Sequence, residues 1–169
     1  DLGKVRNYTY RDGSGIIDSQ ITSLCEDFNG TLWVGTESGL NKYVRERDQF
    51  IEVAWHGLPA ETPIRDIEDD GTGSLWVATS NGLVRYDYNE DKASIFDEDD
   101  GLLSRESISG GITLGPDREF ILCTAEGINR FNPDSIIVFD NSPKAVIEEM
   151  LIFNDRFIPE GGFCPDGSG

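Results

Sequence analysis

Apolar positions in this chain come in runs too short for helices, each closed by turn residues. Ile21, Leu24 and Cys25 lead to the polar stretch Asp27-Phe28-Asn29-Gly30; then Leu32-Trp33-Val34-Gly35-Thr36 is apolar on both faces, as a strand covered from both sides must be. The next turn, Glu37-Ser38-Gly39, places a glycine where a short bulged hairpin needs a positive φ, and a further strand begins at Leu40 and carries Tyr43. The pattern predicts short antiparallel strands and leaves no segment for a competing helix.

The same pattern returns. Ile21, Leu24, Asp27, Gly30, Leu32, Trp33, Val34, Thr36, Gly39 and Tyr43 reappear as Ile64, Ile67, Asp70, Gly73, Leu75, Trp76, Val77, Thr79, Gly82 and Tyr86, always 43 positions on. A third, degraded copy runs through Ile112, Phe120 to Thr124, Gly127-Ile128 and Phe131, with Ile121 in place of the tryptophan. Gly-apolar pairs at Gly15-Ile16, Gly57-Leu58 and Gly101-Leu102 mark the loops between copies. Four short strands in about 43 residues is the dimension of one propeller blade. The fold class expected is therefore all-β, a partial β-propeller of about three four-stranded blades. The repeats fall near 15–56, 57–100 and 101–140, with a leading strand near Val5 to Tyr10. Trp33 and Trp76 are expected to pack one blade on the next while Gly35 and Ala78 keep the strand thin. Asp27 and Asp70 are expected to accept backbone N–H groups in their turns.

Residues 21–43 and 64–86 resemble the two-component regulator propeller repeat, Ile-x-x-Leu-x-x-Asp-x-x-Gly-x-Leu-Trp-Val-Gly-Thr-x-x-Gly-Leu-x-x-Tyr. The resemblance is looser over 108–131. It implies the extracytoplasmic sensor region of a membrane-bound histidine kinase, including hybrid two-component systems that respond to carbohydrate. Phe131-Asn132-Pro133-Asp134-Ser135-Ile136 and Pro143 to Asn154 look like the exit from a last blade and the opening of the immunoglobulin-like domain, named for three tyrosines (Y_Y_Y), that follows the propeller in such sensors. Residues 1–140 are thus expected to be propeller blades, and 141–169 the incomplete start of an immunoglobulin-like β-sandwich. A propeller needs more blades to close, so the rest of a parent propeller is an expected partner, and free blade faces favour a homo-oligomer. The resemblance places the chain in the periplasm, as the extracytoplasmic part of an inner-membrane protein.

Charge narrows the partners further. Lys and Arg number 14 against 32 Asp and Glu, a formal charge of −18, which repels phosphate backbones and anionic lipid alike. No nucleic acid partner and no direct membrane contact from this segment are expected. No stretch reaches the roughly 18 apolar residues of a membrane span.

Catalytic candidates are few. His56 is the single histidine and no motif surrounds it, so triads and histidine-rich metal sites lack their parts. No glycine-rich phosphate loop ends in Lys-Ser or Lys-Thr. Asp66-x-Glu68-x-Asp70-Gly71 imitates a calcium loop, but Val77 stands where a bidentate glutamate belongs. Asp97 to Asp100 reads as a solvated acidic run. Cys25 and Cys123 read as buried, inert thiols, and Cys164 as an exposed one. No catalytic residue, cofactor or metal is expected in the fragment, although a histidine kinase is expected in the parent chain. Trp55 is the one tryptophan outside the repeat register, beside His56; an aromatic next to a hydrogen-bonding residue in a blade loop suits a sugar ring, and these two are the candidate ligand contacts for an oligosaccharide. The plainer reading is a loop tryptophan tucked over the blade edge. Two other readings of the whole are a protein-interaction scaffold and a propeller lyase or glycosidase.

Overall fold

The computed structural model describes residues 5–55, 57, 59, 61–136, 150–152 and 155–157, the last two segments by backbone alone. The chain forms two compact units, Asp1–Ile136 and Ile137–Gly169. In the second, β12 (Met150–Ile152) and β13 (Asp155–Phe157) pair as an antiparallel hairpin.

The first unit is a series of antiparallel meanders. Strands β1 (Ile21–Glu26), β2 (Leu32–Thr36), β3 (Gly39–Val44) and β4 (Gln49–Val53) form the first sheet in chain order. Strands β5 (Ile64–Asp69), β6 (Ser74–Thr79), β7 (Gly82–Asp87) and β8 (Lys92–Phe96) repeat it. The third sheet has three described strands, β9 (Ser107–Leu114), β10 (Phe120–Thr124) and β11 (Gly127–Phe131), and the stretch in which a fourth is expected, from 137 on, lies outside the described residues. After Phe131 the chain enters a 3-10 turn, Pro133–Ser135, in which the Asn132 side chain accepts the Asp134 N–H at 2.9 Å.

One expectation fails. Val5 to Tyr10 is irregular backbone, because the Asp12 carboxylate accepts the N–H groups of Thr9 at 2.7 Å and Ser14 at 2.8 Å and winds the segment into a turn. Tyr8 instead lays its ring against Tyr43 and Phe50, at centroid distances of 5.9 and 5.3 Å.

Sheet stacks on sheet through the repeated columns. Trp33 and Leu40 of the first sheet enclose one core with Ile64, Ile67, Leu75, Val77, Val84 and Tyr86 of the second. Trp76, Ala78 and Leu83 of the second do the same with Ile112, Phe120 and Leu122 of the third. Both tryptophans are fully buried. A Cβ at Gly35 would lie 2.7 Å from Ile64 Cγ2, so the small residue in this column is what lets the next sheet approach.

Polar groups fix the register of the stack. On β5, Asp66 Oδ2 accepts the Ile112 N–H of β9 at 3.1 Å and Glu68 Oε1 accepts that of Leu114 at 3.5 Å. Asp69 Oδ2 takes the Phe28 N–H of the first sheet at 3.0 Å. Burial raises the carboxyl pKa of both Glu68 and Asp69. Cys25 and Cys123 are half-buried rather than buried, because their strands lie at a sheet edge or on a sheet face left open. Cys164 lies outside the described residues.

Trp33→Ala should cost about 3–5 kcal/mol in urea unfolding, the range for truncating a buried aromatic, whereas Phe28→Ala, at an 80% exposed site, should stay within about 0.5 kcal/mol. Burial, and then the neighbouring Asp69 and Glu68, push the Cys25 thiol from 9.0 up to about 12. The neutral thiol is the form the fold favours, so its contribution to stability is present below pH 9 and is lost as pH climbs toward 12. Alkylation at pH 9, where the unfolded thiol is half ionised, should therefore modify folded Cys25 on the order of several hundredfold more slowly than the unfolded chain, and equal rates would refute the assignment.

Candidate functional site

The segments that lead into each sheet and the turns between its second and third strands lie at one end of the sheets. The Glu37 N–H donates to Gln20 O at 3.2 Å, Ser80 N–H to Pro63 O at 3.1 Å and Ala125 N–H to Glu106 O at 3.0 Å, the same bond three times. Each turn is closed by its threonine, which the sequence reading left without a role. Thr36 Oγ1–H donates to Gly39 O at 2.8 Å, Thr79 to Gly82 at 2.6 Å and Thr124 to Gly127 at 3.2 Å. The glycines adopt φ of 136°, 116° and 150°, as the hairpin pattern requires.

At this end, between the first sheet and the connection to the second, lies a cleft of about 190 Å3. Ser38 from the first turn, Leu40 from β3, Glu52 from β4, and Trp55, Glu61 and Thr62 from the connection to β5 form its wall. The Ser38 hydroxyl donates to Asp18 Oδ2 at 2.6 Å, and the buried Thr62 hydroxyl to Pro59 O at 2.7 Å, so both hydroxyls hold the wall in shape. Glu52 and Glu61 are exposed. No lysine or arginine is among the described lining residues, and Arg65 nearby is held by Glu37 at 2.9 Å.

Trp55 is half-buried. Its ring packs on the second-sheet core with its centroid 6.0 Å from that of Tyr86, and it also lines the cleft. Its Nε1–H is buried without an acceptor among the described residues. His56 lies outside the described residues.

The other acidic motifs disperse into structural duties. Asp66 and Glu68 bind the third sheet, while Asp70 Oδ1 accepts the N–H groups of Thr72 at 2.7 Å and Ser74 at 3.2 Å. Asp97 caps the 3-10 turn Glu98–Asp100, and Arg105 bridges to Glu98 at 2.9 Å, holding that carboxyl down at about 2 through its hydrogen bond and charge. Among the described residues no three His, Cys, Asp or Glu gather as a metal site. Asp27 does more than turn its loop: besides the Asn29 and Thr31 N–H groups at 2.9 Å, it takes the Trp33 Nε1–H at 2.9 Å. Its counterpart Trp76 has no such acceptor. A second repeated device is Tyr43 donating to Asp48 and Tyr86 to Asp91, both at 2.6 Å, with the aspartates at φ of 53° and 55°. The Tyr-x-x-x-x-Asp spacing at the same 43-residue offset was the signal for it.

Residues 15–38 match the family described as two component regulator propeller. No curated protein matches the chain. Among solved structures, the extracellular domain of BT4673 from B. thetaiotaomicron, assigned to the hybrid two-component systems, is 17% identical with a TM-score of 0.62, over 77% of this chain and 17% of that one. That of BT3049 from the same organism, also assigned to the hybrid two-component systems, is 21% identical with a TM-score of 0.58, over 72% and 19%. PorZ, an essential surface component of the type-IX secretion system of Porphyromonas gingivalis, is 22% identical with a TM-score of 0.60, over 74% and 19%. The chain therefore spans under a fifth of each of these proteins. Among the described residues no helix is long and apolar enough to cross a membrane. The sheets stacked through one repeated column and the likeness to these structures show a stretch of β-propeller, in which residues 15–38 match the two component regulator propeller family.

Proposed function

We propose that the chain is part of the periplasmic ligand-sensing region of a two-component sensor histidine kinase, that it detects an oligosaccharide, and that the parent protein carries the signal across the membrane. The observation that carries this reading is the cleft walled by Trp55, an aromatic side chain set beside polar groups. The family match and the likeness to extracellular domains of hybrid two-component systems support the setting. By linkage, the ligand signals only if it binds two arrangements of the receptor with different affinity. The same proposal takes 141–169 as the start of the immunoglobulin-like domain, on the residue pattern from Pro143 to Asn154.

A second reading, a scaffold that presents surface to protein partners, is supported by the likeness to PorZ. The chain's own faces favour association as well. Leu24 is 66% exposed on the first sheet and Ile128 64% exposed on the third, at columns that are buried where sheet meets sheet.

Titration with neutral oligosaccharides should change tryptophan emission. Trp55→Phe, which keeps an aromatic ring against Tyr86 but shrinks the face at the cleft, should weaken binding by about tenfold, or about 1.4 kcal/mol. Capture of a stable protein partner with no sugar bound would favour the scaffold instead. Light scattering should show self-association of the chain, and a stable monomer in dilute solution would contradict the account of its open faces.

A further inference from the structure

The connection that leads into the second sheet departs from the other two at one residue, and the departure is matched inside the sheet. Each connection opens on a glycine with a left-handed backbone, Gly15 at φ 88°, Gly57 at 98° and Gly101 at 104°. Two residues further on stand Ile17, Pro59 and Leu103. In the first sheet the buried Asn41 of β3 accepts the Ile17 N–H on Oδ1 at 3.3 Å and donates from Nδ2 to Gly15 O at 3.5 Å. In the third, Asn129 of β11 accepts the Leu103 N–H at 3.0 Å. Both connections are thus pinned by an asparagine on the third strand of the sheet they enter. The counterpart in β7 is Val84, because Asn41 pairs with Val34, Val84 with Val77 and Asn129 with Leu122.

Pro59 has no N–H to give, and Val84 has no oxygen to receive one. An asparagine at the fully buried position 84 would lose this partner to the proline, at the cost of an unmade hydrogen bond. Donor and acceptor are both present at two sheets and both gone at one. The pin has a geometric consequence. A Cβ at Gly39 would lie 3.3 Å from Ile17 Cδ1 and one at Gly127 3.1 Å from Leu103 Cδ1, so each pinned residue covers the turn of its own sheet. At Gly82 the nearest described atoms belong to Phe96 and Ile95. Pro59 stands instead at the cleft, with Ser38, Gly39 and Leu40 of the preceding sheet. This connection is also one residue longer, Gly57 to Ile64 against Gly15 to Ile21 and Gly101 to Ser107.

We propose that Pro59 and Val84 are positioning residues for the cleft: together they abolish the asparagine pin and leave residue 59 at the turn of the preceding sheet, where it completes the wall beside Trp55. The value of that wall to a ligand rests on the carbohydrate reading above, whereas the positioning role does not.

The test restores the pin with Pro59→Leu and Val84→Asn together, compared with each substitution alone. Val84→Asn by itself should lower the melting temperature by about 5 °C, since it buries an amide without this partner, and adding Pro59→Leu should recover most of that loss. Trp33 and Trp76 are fully buried, so acrylamide quenching of tryptophan emission reports on Trp55, and it should rise in the double variant as residue 59 leaves the wall. Affinity for a neutral oligosaccharide should fall by about tenfold. Should Val84→Asn alone fail to fold, the reverse exchange carries the test: Leu103→Pro should lower the melting temperature more alone than together with Asn129→Val. Stability effects that simply add, or quenching that stays the same in the double variant, would overturn the proposal. Recovery and altered quenching, with no oligosaccharide bound by the unaltered chain, would uphold the positioning role and end the carbohydrate reading.

Discussion

Everything in the first unit depends on one contact, a tryptophan from the second strand of a sheet laid flat under the next sheet. A single four-stranded meander has two faces and cannot bury either by itself. Trp33 and Trp76 supply the largest apolar surface in the repeat, and both lie completely covered, one by Tyr86 and Val77 and the other by Phe120 and Phe131. A residue with a side chain at Gly35 would separate the layers, so the tryptophan and the glycine work as one device: a bulky residue and, two positions along, a gap.

The polar groups then decide how the sheets are aligned. Strands at the inner edge keep unpaired N–H groups, and these are met by carboxylates from the neighbouring sheet: Asp66 and Glu68 reach β9 and Asp69 reaches the turn after β1. The interfaces are not copies of each other. Position 66 is an aspartate where the first sheet has Ser23, and position 68 a glutamate where it has Cys25. The third sheet presents Ile121, partly exposed, in the tryptophan column, with Arg130 paired to Glu119 on its surface. Its open face is therefore weaker as a platform than either tryptophan face. The cleft arises where the chain must leave an outer strand and return to the inner strand of the next sheet, a path that bends around Trp55 and leaves a hollow over the turn at Ser38.

Most of the architecture was legible in residue pattern. The offset of 43, the strand runs and the turn glycines each had a counterpart in the fold, because hydrogen-bonded strands and positive-φ turns are demanded locally. Trp55 stood out for a similar reason, as a large aromatic with no repeat partner, and it does line the cleft. Glu52 and Glu61 did not stand out. A glutamate on an outer strand and another in a loop look like ordinary solvated residues until the connection folds back and sets them on one wall. The segment from Val5 to Tyr10 misled for the opposite reason: its alternation suits a strand, but Asp12 captures the backbone and Tyr8 finds a better site against Tyr43 and Phe50.

By itself the sequence determined the repeating unit, its strands and turns, and the residues that must be buried, since these follow from periodicity and from the conformations open to single residues. Only the tertiary structure decided which carboxylate bonds to which sheet, that Asp27 holds the indole of Trp33 while Trp76 has no acceptor among the described residues, and that Trp55 shares a cleft with Glu52 and Glu61. Those outcomes turn on positions of a few ångströms between segments far apart in the chain. Such distances are set when whole sheets pack, not by the composition of any one of them.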